Sequence, residues 1–141
     1  MDQTNIASAI IETILATIFA PRIGTLWVEH GGIYAGIVRG IDGASDYHLI
    51  LLTDTTDELH WDGAMAWAKS INGDLPTRSE QAILYGNLKN EFEREWYWSN
   101  TQHADDSDYA WMQDFGYGYQ GGNLMSNECR ARAVRRLSII Q

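Results

Sequence analysis

Between residues 5 and 20 the chain reads Asn-Ile-Ala-Ser-Ala-Ile-Ile-Glu-Thr-Ile-Leu-Ala-Thr-Ile-Phe-Ala, and Ile6, Ile10, Ile14 and Ile18 recur every four residues. That period predicts a helix, and Ile11, Leu15 and Phe19 widen its apolar stripe to more than half the circumference. Pro21 ends it, because the residue before a proline is pushed out of the α region. So broad a stripe fits packing on the chain's own domain, or contact with neighbouring copies or a larger assembly, and the pattern leaves both open.

Strand patterns follow. Residues 25–29 and 33–39 flank His30-Gly31-Gly32, a turn-forming tripeptide that predicts a hairpin. Residues 40–45 are turn-rich, and residues 47–53 are a continuous apolar run of the kind a buried strand carries. A helix over residues 61–71 places Trp61, Ala64, Met65, Ala68 and Ile71 on one face, and Asn72-Gly73 suits a left-handed cap. A second helix opens at Thr77 and runs to about residue 91, where Thr77 and Glu80 have capping-box spacing: each side chain satisfies the other's free backbone amide. Its apolar stripe is Ala82, Ile83, Leu84, Leu88 and Phe92. Residues 96–99 and 109–115 read as strands around a polar loop at 101–107, residues 116–122 are rich in glycine and tyrosine, and residues 130–139 alternate as a closing strand. Helix, strands, two helices and further strands in that order predict an α+β fold.

The length of 141 residues fits one domain, and a domain of this size buries about 68–70% of its unfolded surface. With 45% hydrophobic residues and an aromatic excess, the composition is globular. The net charge of −9 disfavours binding to a phosphate backbone. Arg130, Arg132, Arg135 and Arg136 are a basic cluster, but their alternation fits a strand better than a phosphate groove. A single cysteine, Cys129, excludes an internal disulfide and a cysteine-based zinc cluster, and a chain without disulfides suits a reducing cytoplasm. The N-terminal charge, Asp2, is not the basic n-region of a secretory leader, and the apolar run at 6–20 is too short to span a bilayer and is interrupted by Glu12. We expect neither an export signal nor membrane insertion.

Leu75-Pro76-Thr77-Arg78-Ser79-Glu80-Gln81, Trp96-Tyr97-Trp98-Ser99, Ala110-Trp111 and Arg132-Ala133-Val134-Arg135 carry a resemblance across roughly residues 61–137. The sequence resembles the domain family found in bacterial and phage proteins and at the C-terminus of collagen-like bacterial adhesins. That family has a C-type-lectin-like fold related to that of formylglycine-generating enzymes. The resemblance implies a binding scaffold in which two helices support a twisted sheet that displays a long irregular segment, here between Trp111 and Glu128. It also implies structural roles for Arg132 and Arg135, bonded to carbonyls or acids near the sheet. Related phage proteins bind host receptors as trimers through the irregular segment. The implied organisation is an N-terminal helix at 1–22 for oligomerisation or attachment and a C-type-lectin-like binding domain at 23–141.

The candidate ligand-binding residues are Met112, Asp114, Tyr117, Tyr119, Gln120, Asn123, Met125 and Asn127. In a strand, Tyr109, Trp111, Gln113 and Phe115 share one face and Ala110, Met112 and Asp114 the other. The first set is bulkier and is expected in the core, which turns Met112 and Asp114 outward beside the tyrosines. Tyrosine suits recognition because it offers large contact area and a polar tip with little rotamer freedom to lose. Trp61, Trp67, Trp96, Trp98 and Trp111 are expected in the core rather than as sugar platforms. Asp105, Asp106 and Asp108 lack calcium-loop spacing, and the chain also lacks the calcium-lectin tripeptides, so a solvated acidic loop is expected. His30, His48, His60 and His103 share no metal-ligand spacing, and Cys129 is expected as a buried strand cysteine. We expect no metal and no cofactor.

These readings favour a phage or prophage virion protein at a tail-fibre or baseplate tip, made in the bacterial cytoplasm. Its expected partners are a host-surface receptor (glycan or protein), other virion proteins through residues 5–20 and two further copies in a homotrimer, with no nucleic acid. A structural virion component, such as a capsid decoration or tail-assembly protein, is one alternative. An intracellular inhibitor of a host defence protein is another. An enzyme is disfavoured, because no acid–base pair or nucleophile stands at a recognisable spacing.

Overall fold

The computed structural model of the chain describes residues 3–139. Asp2, on which the leader argument turns, lies outside them. The described residues form an α+β fold. Helix α1 (Gln3–Ile18) precedes strands β1 (Leu26–Trp27), β2 (Gly32–Val38) and β3 (Tyr47–Leu52). Helices α2 (Trp61–Ser70) and α3 (Arg78–Leu88) follow, then β4 (Trp96–Gln102), β5 (Tyr109–Asp114), β6 (Gln120–Leu124) and β7 (Val134–Ser138).

Two antiparallel sheets result, one in the order β1-β2-β3-β7 and one in the order β4-β5-β6. The last strand returns to the first sheet and pairs with β3, from Tyr47 opposite Ser138 to Leu51 opposite Val134. Because β3 is flanked on both sides, Leu49, Ile50 and Leu51 are fully buried, which is why this strand reads as a continuous apolar run rather than an alternating one. One face of the sheet packs Ala35, Leu49, Leu51 and Val134 against Leu84 and Leu88 of α3. A second cluster joins Ala64 and Ala68 of α2 to Leu75, Trp98, Ala110, Met112 and Ala133. Each large aliphatic side chain fully removed from water contributes about 1.5–3 kcal/mol, so these clusters hold the helices to the sheets.

The helix signals act as their chemistry predicts. Thr77 Oγ1 accepts from Glu80 N (3.1 Å) and Glu80 Oε1 from Thr77 N (2.8 Å), while Asn72 takes a left-handed φ of 61° after α2. Of the two fates open to the apolar stripe of α1, burial against its own domain is not the one observed: α1 has no buried residue. Its C-terminal end is tied to the domain by Trp27 Nε1, which donates to Ala16 O, and by His30 Nε2, 2.8 Å from Thr17 O. Among the described residues no helix is long and apolar enough to cross a membrane.

Several boundaries differ from the pattern. The first hairpin arm is only two residues of strand, because the chain turns into a 3-10 segment, Val28–His30. Strand β4 runs on to Gln102, into the expected polar loop. The closing strand begins at Val134, not at residue 130; before it, Cys129 and Arg130 make only isolated bridges, to Leu59 and Tyr97. The crossing at residues 131–133 is held by buried Arg132, which donates to Glu91 O (2.6 Å) and Leu52 O (2.9 Å). Arg135 donates to His30 O and Asn72 O, and Arg136 engages Asp74 and Glu80. Three of the four clustered arginines are thus committed inside the fold.

Candidate functional site

The tyrosine- and glycine-rich stretch forms the turn and return strand of the β5–β6 hairpin. The pairing runs from Tyr109 opposite Leu124 to Gln113 opposite Gln120. Half of the expected irregular segment is therefore strand, closed at one end by residues 115–119. Three contacts fix that turn. Asp114 closes it through its carboxylate, which accepts from Gly116 N (2.7 Å) and Tyr117 N (3.2 Å). Phe115 stacks on Phe92 at 3.8 Å, nearly parallel. Gly118 has a φ of +90°, and a Cβ there would stand 2.8 Å from the Tyr85 ring, so position 118 excludes a side chain on both counts. Tyr117 and Tyr119 project from this anchored turn and are 77% and 68% exposed; Arg94 lies 5.7 Å from the Tyr117 ring centre.

Met112 and Asp114 do not face outward, and here the expectation is corrected. Met112 is 8% and Asp114 6% exposed. Met112 belongs to the second core cluster, with Cys129 Sγ 3.2 Å from its sulfur. Asp114 is buried because its carboxylate binds backbone amides of its own turn. The bulk comparison failed because Trp111 is covered by polar side chains instead of the core. The Arg78 guanidinium lies 3.5 Å over its ring, and the His103 imidazole is stacked on it at 4.8 Å. Tyr109 and Trp111 are thus half-buried, whereas Gln113 and Phe115 are buried. Of the tryptophans expected in the core, Trp98 is fully buried, and Trp61, Trp67 and Trp96 pack on the core while remaining partly exposed.

The other candidates separate into two groups. Half-buried Gln120 joins the Arg78 side of the hairpin: Arg78 Nε donates to its Oε1 (3.0 Å), and its Nε2 donates to Arg78 O (2.8 Å) and Gln113 Oε1 (3.0 Å). At the far end of β6, Asn127 Nδ2 donates to Asn123 Oδ1 (2.8 Å) and Asn123 Nδ2 lies 3.3 Å from Cys129 Sγ. Met125 packs on the second cluster, with Trp61 N donating to its carbonyl. Gln120 and Asn123 stand three residues apart on β6, about 10 Å along the strand, and Met112 and Asp114 are buried, so the eight candidates do not form one patch. Tyr117 and Tyr119 stand at one end and Asn127 at the other.

Beside the tyrosine turn is an open cleft of about 630 Å³, lined by Arg78, Ser79, Tyr85, Thr101, Gln113 and Gln120 among others. It was missed in the sequence because Thr77-Arg78-Ser79-Glu80 had already been explained as a helix start; nothing in its spacing tells that Arg78 stacks on a tryptophan 33 positions later. Under this helix start, Glu80 is fully buried. Burial alone would raise its pKa, but hydrogen bonds from Arg136, Tyr47 and the Thr77 amide outweigh that and hold it below the ordinary value. Burial pushes the Cys129 thiol up, away from the reactive thiolate, and it is half-buried in an isolated bridge rather than buried in a strand. Burial also lowers the pKa of His48, whose Nδ1 lies 2.8 Å from Tyr34 OH. Asp105, Asp106 and Asp108 are exposed, and among the described residues no group of three or more His, Cys, Asp or Glu side chains is placed to hold a metal. No protein-family model matches the chain, and no curated protein matches it.

Proposed function

We propose that the chain is a non-enzymatic virion protein of a phage or prophage, with a C-type-lectin-like domain that recognises a host-surface receptor through the β5–β6 turn. The observation that carries this reading is the pair Tyr117 and Tyr119, which are highly exposed on a turn fixed by Asp114, Phe115 and Gly118. Large aromatic surface held rigid in water has no packing role in its own chain, and it loses little freedom on binding. The C-type-lectin-like assignment is supported by two helices packed against antiparallel sheets, with the final strand returning to the first sheet. In this reading α1 joins copies, as a homotrimer, or attaches the domain to other virion proteins, since Ile6, Ile10, Ile11, Ile14 and Leu15 are exposed along it and Phe19 just past its end.

The deciding experiment replaces Tyr117 and Tyr119 together with alanine and measures adsorption of the labelled protein to intact host bacteria. Adsorption is lost while the melting temperature stays that of the parent. Undiminished adsorption refutes the turn as the recognition surface. The exposed α1 favours one second reading, a structural virion component whose domain is a spacer. That reading gains if the hairpin turn is found buried against other virion proteins in a map of the particle.

A further inference from the structure

The geometry points to the cleft beside α3 as a binding site for a carboxylate-bearing sugar, with Arg78 as the carboxylate receptor. This deepens the recognition reading and rests on it only for where the sugar comes from, a host surface.

Arg78 is held ready before any ligand arrives. Its guanidinium carbon lies 3.5 Å from the Trp111 ring centre, and its Nε is spent on Gln120 Oε1. Gln120 is in turn bound to Arg78 O and to buried Gln113, whose amide donates to Asp114 O and Tyr119 O. The chain therefore runs from the cleft to the tyrosine turn through two glutamines. A cation fixed in this way loses little freedom when it binds.

Both terminal nitrogens of Arg78 are free of hydrogen bonds within the described chain, and it makes no ion pair there. The nearby acids are occupied elsewhere, Glu80 by Arg136 and Asp74 by Arg136 and Lys69. A guanidinium whose remaining edge is its two Nη groups matches a carboxylate with two parallel hydrogen bonds. The rest of the lining carries no charge: Ser79, Tyr85 and Thr101 bring hydroxyl groups, and Ala82 and Gly118 bring apolar surface. Such groups suit a polyhydroxylated ligand. One cation matches one negative charge, whereas a nucleotide or a phosphate-rich polymer would bring several charges against an acidic protein. The volume of about 630 Å³ accommodates one or two sugar rings.

The test is calorimetric titration of the full chain with N-acetylneuraminic acid and with glucuronic acid, against glucose and inorganic phosphate. At least one acidic sugar binds saturably, and neither glucose nor phosphate does. Arg78→Met keeps an apolar stem on Trp111 and removes the charge; it weakens acidic-sugar binding by about tenfold to a hundredfold, the loss of a charge-assisted contact. Gln120→Glu places a carboxylate beside Arg78 Nε and weakens binding likewise, so the conclusion does not hang on one variant's folding. The inference is overturned if neither acidic sugar saturates, if Arg78→Met and Gln120→Glu bind as the parent does, or if phosphate binds as well as the sugars. Whole-cell adsorption separates the two claims. Acidic-sugar binding without adsorption of the parent protein to cells removes host recognition and leaves the cleft, whereas parent adsorption without acidic-sugar binding does the reverse.

Discussion

Replacing Glu80 with glutamine changes one charge at the point where α3, β3 and β7 meet. The glutamine keeps the volume and an oxygen for the Thr77 amide, so the helix cap survives. What changes is the set of bonds to the carboxylate: Arg136 Nε at 2.7 Å, Arg136 Nη2 at 2.8 Å and the Tyr47 hydroxyl at 2.5 Å. A hydrogen bond to a charged group contributes about 1.5–3 kcal/mol and a neutral one about 0.5–1.5. In the glutamine the oxygen at the Oε1 position keeps Thr77 N and Arg136 Nη2 without the charge, whereas an NH2 in place of Oε2 accepts from neither Arg136 Nε nor the Tyr47 hydroxyl. Together these changes cost about 3 kcal/mol, and because the Arg136 side chain is 32% exposed and keeps Asp74, screening reduces this to about 2 kcal/mol. At a urea m-value of about 2 kcal/mol per molar, the midpoint at pH 7 falls by about 1 M. The pH dependence supplies the sharper check. Glu80 has a folded pKa below its reference of 4.5, so its contribution is complete above that reference and disappears as pH falls through the lower folded value. The gap between parent and Glu80→Gln therefore closes in acid, while His48 and other groups titrate alike in both. Equal midpoints at pH 7, or a gap that persists unchanged after acidification, would refute the assignment of Glu80 as a buried, charged anchor.

Two further outcomes follow from the same geometry. Asp114→Ala leaves Gly116 N and Tyr117 N without their acceptors and costs about 1–3 kcal/mol; hydrogen exchange at those two amides accelerates, and unchanged exchange would show that the carboxylate is not the clamp. Tyr47→Phe removes the hydroxyl bond to Glu80 and costs about 1 kcal/mol at pH 7. Burial, and then the bond to Glu80, pushes the Tyr47 pKa from 10.0 up to about 12. The parent's advantage over the phenylalanine variant is complete below pH 10 and declines between there and 12, which alkaline denaturation curves of the two proteins measure directly.

Local and periodic features of this protein were legible in its sequence because they depend on neighbours a few positions apart. The capping box at Thr77 and Glu80, the left-handed Asn72, the apolar run that became β3 and the isoleucine ladder of α1 all belong to this kind. Tyr117 and Tyr119 were singled out differently, through the resemblance and the suitability of tyrosine for recognition, and both are exposed on the turn. Tertiary structure alone decided which face of β5 is inside. Side-chain bulk pointed to Trp111, but Arg78 from α3 and His103 from the end of β4 cover that ring, while Met112 takes the core and Asp114 turns inward to bind its own turn. Tertiary structure likewise chose the partner of Glu80, 56 positions away in β7, and left the apolar face of α1 in water. Period and propensity are properties of a segment, whereas the choice among buried faces, ion partners and coverings is made by whichever distant segment folds against it.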